Sequence, residues 1–405
     1  MARARRGDGR RAVHRLVNGT QGYDWGSTDL IPRFLGAEPD GSPVAEIWVG
    51  THPLLPSSLA DDDERPLQDV AGRLPFLLKV LAAGKPLSLQ VHPDKGQAET
   101  GFAAENEAGI PLDAPHRVFR DDNHKPEMAY ALTQFETLVG FRPTAEILRV
   151  LDHLRTPLAA RLSRELHEDP GFPGIVRLVE RLLRDVPPAD EIEGVVAEAR
   201  RHLAEGTDVK RAFATVVELA EHYPGDVGVV VGLLLNRLTL QPGEAAFLDS
   251  GIIHAHLSGM CLEIMAESDN VLRAGLTSKH IDPAGLVSTL TTRFSRLARV
   301  TPEPVDHATV LLSPGSDEFA LAVTQCSGAD GDGVEVPGAG ERLLICTGGE
   351  VALRNEHGQE LTLRRGDTVH AGADDGELHV RGLGEVAQAF QPASLPATSR
   401  LVDLV

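Results

Sequence analysis

Apolar positions along the chain fall into two rhythms. From about residue 16 to 140 they come as short runs, such as 45–49, 74–81 and 87–91, separated by breaks rich in Gly, Pro and Asp. Runs of that length between turn residues predict the strands of a barrel or sandwich, with one short helix over 98–107. After Pro143 the period changes. Ile147, Leu151 and Leu154 share one helical face. Ile175, Leu178, Val179, Leu182 and Leu183 repeat the pattern, as do Val195, Val196, Ala199 and Leu203, then Phe213, Val216, Val217 and Ala220. Spacings of three and four put one apolar stripe on each helix. Pro187-Pro188 and Gly206 punctuate the set.

Strand signals resume at 227–231, 237–240 and 245–253. Gln241-Pro242-Gly243-Glu244 between the last two is a turn, because Pro presets φ and Gly permits the reversal. From about 300 onward short strand-like runs return at 341–347, 350–354, 360–364 and 376–381, and Gly348-Gly349 and Gly366-Asp367 read as turns. The expected fold class is mainly β with an α-helical insertion. One β-domain is expected from 1–143 and 224–300, the insertion over 144–223, and a second, smaller β-domain over 301–405. The last contains His370 and His379 but no clustered set of His and carboxylate, so no chemistry is assigned to it.

Composition narrows the function. The 405 residues are 42% hydrophobic, enough for more than one core. A formal net charge of −20 argues against nucleic acid as the main partner, since phosphate backbones need a basic face. A phosphorylated small molecule needs only a few local cations. The longest apolar run, 227–235, is too short to cross a bilayer, and the arginines at the N-terminus precede no apolar signal segment. Cys261, Cys326 and Cys346 are odd in number and far apart, so neither a disulfide framework nor a cysteine zinc site is expected. Together these predict a cytoplasmic protein without membrane partners.

Three short segments carry candidate chemistry. In Ser88-Leu89-Gln90-Val91-His92, Gln90 and His92 lie on one face of a strand, because side chains alternate. His124-Lys125-Pro126-Glu127 offers a carboxylate at the start of another strand. His254-Ala255-His256 puts two imidazoles on one face if extended. Two imidazoles, a carboxylate and an amide suit Zn²⁺ or another borderline first-row ion.

The chain also closely resembles class I (zinc-dependent) mannose-6-phosphate isomerases. The matching stretches include Tyr23-Asp24-Trp25-Gly26-Ser27, Ala45-Glu46-Ile47-Trp48-Val49-Gly50-Thr51-His52-Pro53 and Pro75-Phe76-Leu77-Leu78-Lys79-Val80-Leu81. They continue through Leu87-Ser88-Leu89-Gln90-Val91-His92-Pro93-Asp94, Asn123-His124-Lys125-Pro126-Glu127-Met128, Gly140-Phe141-Arg142-Pro143, Tyr223-Pro224-Gly225-Asp226 and His254-Ala255-His256-Leu257-Ser258-Gly259. The last is Ser268-Asp269-Asn270-Val271-Leu272-Arg273-Ala274-Gly275-Leu276-Thr277. The resemblance covers about 18–280 by motif and the remainder by general character.

It implies a cupin (jelly-roll) catalytic barrel, a helical insertion and a C-terminal cupin-like domain. It implies interconversion of mannose 6-phosphate and fructose 6-phosphate through an enediol, a step linking glycolysis to mannose and GDP-mannose metabolism. Gln90, His92, Glu127 and His254 fall on the family's ligands for one Zn²⁺ per chain, and Arg273 on its catalytic arginine. Ser88, Lys125, Glu263 and Lys279 fall on substrate-binding positions. Lys125 and Glu263 are both candidates for proton transfer. A sugar phosphate is the expected partner and a monomer the expected state.

The sequence departs from the family pattern in places. Ile253 stands where a proline is usual, His256 where a tyrosine is usual, and Ser278 where a proline precedes Lys279. His256 shares a face with His254, either as a competing ligand or as pocket wall; His254 is the expected ligand because it holds the family position. An Fe²⁺ cupin oxygenase, a non-catalytic sugar-phosphate sensor and an isomerase of broader aldose specificity are the rival readings.

Overall fold

A computed structural model describes residues 12–61, 65–291, 299–329, 331 and 333–392. Two curled antiparallel sheets make the body. The first runs, in order, Arg299–Val300, Ala245–Leu248, Glu127–Ala131, His254–Ala266, Phe76–Ala83, Glu46–Val49 and Gly19–Gln21. Phe135–Phe141, Leu235–Leu240, Gln90–Val91 and Leu272–Arg273 extend it as a second wall.

The strand His254–Ala266 belongs to both walls. His254, Ala255 and His256 pair with Val139, Leu138 and Thr137. Farther along, Gly259 to Ala266 pair with Ala83 to Phe76, and Cys261 to Met265 with Ala131 to Glu127. The hand-over falls where the register shifts between His256 and Ser258. Gly259 there has φ +103°, and a Cβ on it would lie 2.3 Å from the Gln134 carbonyl oxygen. A bulge followed by a residue that only glycine can be is the usual way for a strand to turn a corner.

Alternation along this strand decides what faces what. Ile253, Ala255 and Leu257 point outward into a core shared with the helices, while Leu262 and Ile264 point into a core shared with the second sheet. His254, His256 and Glu263 take the interior.

The helices Thr144–His153, Pro157–Glu168, Phe172–Arg184, Ala189–Ala204 and Ala212–His222 pack on the outside of the second wall. Their stripes of Leu, Ile and Val join Leu89, Val91, Leu138, Phe141 and Leu272 in one cluster. Thr156 caps its helix by accepting from the Ala159 N–H at 3.1 Å, ahead of Pro157 in the first turn.

The second sheet comprises Glu303–Pro304, Thr309–Leu312, Ala320–Ser327, Leu378–Phe390, Arg342–Asn355, Thr368–Ala371, His14–Val17 and Ser58–Leu59, with Val334–Val336 and Glu360–Arg364 at its flanks. His14 pairs with His370, so a strand from the start of the chain completes the C-terminal unit. Leu321, Val323, Leu343, Ile345, Ala387 and Ala389 meet Leu78, Val80, Leu262 and Ile264 face to face. The chain is thus a cupin barrel with a helical insertion and a second cupin-like β-unit.

Two local expectations fail. The run at 227–231 is a helix, Val227–Leu233, buried on every side. A helix with no wet face has no apolar period, so its β-branched residues read as strand. Asp226 caps it by accepting from the Gly228 N–H at 2.6 Å. Gly228 and Gly232 let it press close: a Cβ on Gly228 would sit 2.6 Å from the Leu276 nitrogen, and one on Gly232 2.5 Å from the Leu219 Cδ1. Gly348-Gly349 is not a turn between two strands. Arg342–Asn355 runs straight through it, and the register skips a residue between Cys346 and Gly348, a bulge with Gly349 at φ +69°.

Candidate metal centre

The interior of the first unit brings three of the expected ligands together. Donor atoms of His92, Glu127 and His254 lie within 4.8 Å of one another, and all three residues are buried. His92 Nε2 stands 3.4 Å from Glu127 Oε1, and His254 Nε2 stands 3.2 Å from Glu127 Oε2.

Backbone carbonyls set the tautomers. His92 Nδ1 donates to the Asn270 carbonyl at 2.6 Å, and His254 Nδ1 to the Ile252 carbonyl at 2.9 Å. A ring nitrogen facing a carbonyl must carry the proton, which leaves each Nε2 as a lone pair. Both Nε2 atoms and Glu127 Oε2 are buried without a hydrogen-bond partner. Lone pairs facing one another in a dry interior are costly unless a cation lies among them. The residues therefore fit a divalent first-row ion on structural grounds alone.

Burial, then Lys125, push the His92 imidazole down to about 3, so it stays neutral and able to ligate. Burial works to raise the Glu127 carboxyl, but Lys125, whose Nζ is 2.9 Å away, outweighs it together with His92 and His254 and keeps it well below the usual range.

Gln90 is paired directly with His254 on one side and with Arg273 on the other. Direct cross-strand partners share a face, so the backbone puts the amide and the guanidinium beside the centre. Ser88 lies just before this strand, in the irregular stretch 86–89.

Arg273 has no carboxylate within ion-pair range among the described residues. Asp269 is 3.5 Å from His52 and Glu267 is 3.0 Å from Arg73 instead, so neither serves as its partner. Burial and the charge of Arg120 lower the Arg273 pKa, and burial, Arg273 and Arg120 lower that of Lys279. Three cations close enough to repel, in a protein of net charge −20, form a ready anion site.

The ring nitrogens of His256 are engaged by other partners. Its Nε2 is 3.3 Å from Glu263 Oε1 and its Nδ1 is 3.1 Å from the Thr137 hydroxyl, with its ring edge-on to Phe135 at 5.0 Å. Glu263 Oε2 accepts from Lys79 Nζ at 3.1 Å, and Lys79 reaches Glu46 Oε1 at 3.4 Å. Burial works against the Lys79 ammonium, but Glu46 and Glu263 more than restore it. Glu127, His256 and Glu263 form a second group within 4.8 Å, but Lys79 already neutralises Glu263 there.

Sequence reasoning missed Lys79, Arg120 and Asn270. A lone lysine in the wholly buried strand Phe76–Ala83 was a legible signal, because unpaired lysines are almost never fully buried. Asn270 joins the His92 carbonyl contact to hydrogen bonds with the Arg120 nitrogen and the carbonyls of Asp121 and Asn123, a clamp that only the folded loops reveal.

The chain is similar to known proteins over most of its length. Residues 13–144 match the family model for the catalytic domain of type I phosphomannose isomerase. The mannose-6-phosphate isomerase of Salmonella typhimurium is 35% identical over 400 residues, covering 93% of this chain and 99% of that protein. Mannose-6-phosphate isomerase 1 of Arabidopsis thaliana is 32% identical, covering 93% of each. The crystal structure of the Salmonella typhimurium enzyme bound to fructose 6-phosphate and zinc superposes with a TM-score of 0.84 at 33% identity, over 94% of this chain and 99% of that one.

Proposed function

This chain belongs to the type I phosphomannose isomerases, and on that premise we propose that it interconverts mannose 6-phosphate and fructose 6-phosphate by moving a proton between C1 and C2 through an enediol. The observation that carries the reading is the convergence of the unpaired His92 and His254 Nε2 atoms on Glu127, beside a cluster of cations.

His92, Glu127 and His254 would hold one zinc ion, with the Gln90 amide as fourth donor. Zinc there supplies Lewis acidity toward the substrate oxygens at C1 and C2. Lys279 and Arg120 are suited to the 6-phosphate, with Ser88 as a hydrogen-bond donor at the pocket wall. Arg273 lies directly across from Gln90, where its guanidinium can stabilise the enediolate as charge develops. Both Glu263 oxygens are engaged, by His256 and by Lys79, and this residue shapes the pocket; proton carriage is assigned to Lys125 Nζ for its place beside the centre, 2.9 Å from Glu127 Oε1. The reaction would feed a ketose phosphate of glycolysis into mannose and GDP-mannose metabolism.

The test is a coupled assay on mannose 6-phosphate. Turnover should vanish with a chelator and return with added Zn²⁺. A zinc-loaded protein inert toward both sugar phosphates would refute the reading.

A further inference from the structure

The loop that delivers Lys125 and Glu127 is long and irregular. It spans 108–126, between the helix Lys95–Glu107 and the strand Glu127–Ala131. Such a loop places a side chain accurately only where something outside it holds on. One edge is held from within the catalytic unit: the buried Asn270 donates to the carbonyls of Asp121 and Asn123 at 2.8 Å each, and the Ser268 hydroxyl to Asp121 Oδ1 at 2.8 Å.

The other hold comes from the C-terminal unit. His124 Nε2 meets Glu318 Oε1 at 2.5 Å, with side chains 27% and 19% exposed. The Glu318 carboxylate is itself fixed, because the Ser316 hydroxyl donates to its Oε2 at 2.6 Å. The next residue, Phe319, is fully buried in the core between the two sheets and locks the backbone there. The hydrogen bond from His124 leads in holding the Glu318 carboxyl down at about 2, against the opposing effect of burial.

Lys125 precedes Pro126, which biases it to an extended conformation. In extended backbone, neighbouring side chains point to opposite sides. Fixing His124 outward, against Glu318, therefore turns Lys125 inward, where its Nζ stands 2.9 Å from Glu127 Oε1.

We propose that Glu318 is a positioning residue for the isomerase reaction: by gripping His124 it sets the 124–127 segment, so the C-terminal unit contributes to the presentation of Lys125 and Glu127. This rests on the isomerase reading given above for the role of Lys125, while the grip on Glu127 can be read without it.

Glu318→Ala and Glu318→Gln are made in the full chain and again in a His124→Gln background. Two quantities are measured: kcat and KM on mannose 6-phosphate, and the rate at which zinc passes to a chromogenic chelator. Misplacing a reacting group by about 1 Å through a change away from the chemistry can cost on the order of 10²-fold in rate, and a support one residue removed from Lys125 is expected to cost less. Glu318→Ala should lower kcat by about tenfold with KM nearly unchanged, and should speed zinc loss severalfold. Glu318→Gln should recover most of both, because its amide oxygen still accepts from His124. Neither substitution should matter in the His124→Gln background. Wild-type kcat and zinc retention in Glu318→Ala, or an equal loss in both backgrounds, overturns the inference. A parent protein inert toward mannose 6-phosphate would defeat the isomerase reading instead, and the zinc measurement would still decide this one.

Discussion

The two β-units use one architecture for opposite purposes. The C-terminal unit closes an apolar cluster of Val334, Val336, Leu344, Val351, Leu353, Leu363, Val369, Leu378, Val380 and Val386, and its buried polar side chains, among them Arg342, Asn355, His370, Asp375 and Gln388, form no converging set of metal donors among the described residues. The interior of the first unit carries His92, Glu127, His254, His256, Glu263, Lys79 and Glu46, all buried. A curled sheet accepts either filling, because its backbone hydrogen bonds are satisfied strand to strand and leave side-chain chemistry free. The polar filling is tolerable only because charges come in opposed sets. Lys79 lies between Glu46 and Glu263, Lys125 lies on Glu127, and the remaining lone pairs await a cation. The difference teaches that fold alone does not locate function; the interior-facing positions of particular strands do.

The comparison breaks first at the ligands. His254→Ala or Glu127→Gln should lower kcat on the order of 10³-fold, the several kcal/mol expected when Lewis-acid assistance is lost, and bound zinc measured by atomic absorption should fall with it. His370→Ala, an imidazole of the other unit that hydrogen-bonds Glu341 and stacks on His14, should leave kcat unchanged. Equal effects would erase the distinction.

Next comes Arg273. Arg273→Ala should cut kcat/KM by roughly 10²–10³, the usual cost of losing one donor to a developing oxyanion, while zinc content stays at the parent value.

Stability sharpens the contrast further. Lys79→Met strands Glu46 and Glu263 in a buried site, so urea unfolding should show a loss of about 3–5 kcal/mol. Leu353→Ala in the second unit removes only packing and should cost about 2–5 kcal/mol with activity retained. A Lys79→Met protein as stable as its parent would mean that the interior charges carry no mutual dependence.

The smallest effect concerns the joint between the units. Folding lowers the Glu318 pKa from 4.5 to about 2. A depressed carboxyl stabilises the native state above its unfolded pKa, and that contribution drains away as pH falls from about 4.5 through 2. In metal-free protein, Glu318→Gln should flatten the fall of the melting temperature across that window and leave the slope above pH 6 unaltered.

Much of this was readable from residues. The helical block announced itself because each of its helices has one wet face, and motif, alternation and the family resemblance singled out His92, Glu127 and His254, which the structure brings within 4.8 Å of one another, as candidate ligands. Glycines were ambiguous without context. Gly348-Gly349 reads equally as a turn or a bulge, and only the pairing of Arg342–Asn355 with Leu378–Phe390 decides it. Val227–Leu233 misled because burial on all sides erases the period on which helix prediction depends.

The sequence by itself determined the candidates for the metal site, since metal ligation and strand alternation are properties of residue type and spacing, but not the supporting residues Lys79, Arg120 and Asn270. Only the tertiary structure decided how those residues are used. His254 and His256 share a face and a chemistry, yet one points its free nitrogen at Glu127 and the other at Glu263, because Ile252 offers a carbonyl to the first ring and Thr137 a hydroxyl to the second. Likewise Glu318 reaches His124, and the first strand His14–Val17 completes the C-terminal sheet. Contacts between residues 194 or more than 350 positions apart leave no trace in local pattern, and they exist only once two sheets have packed face to face.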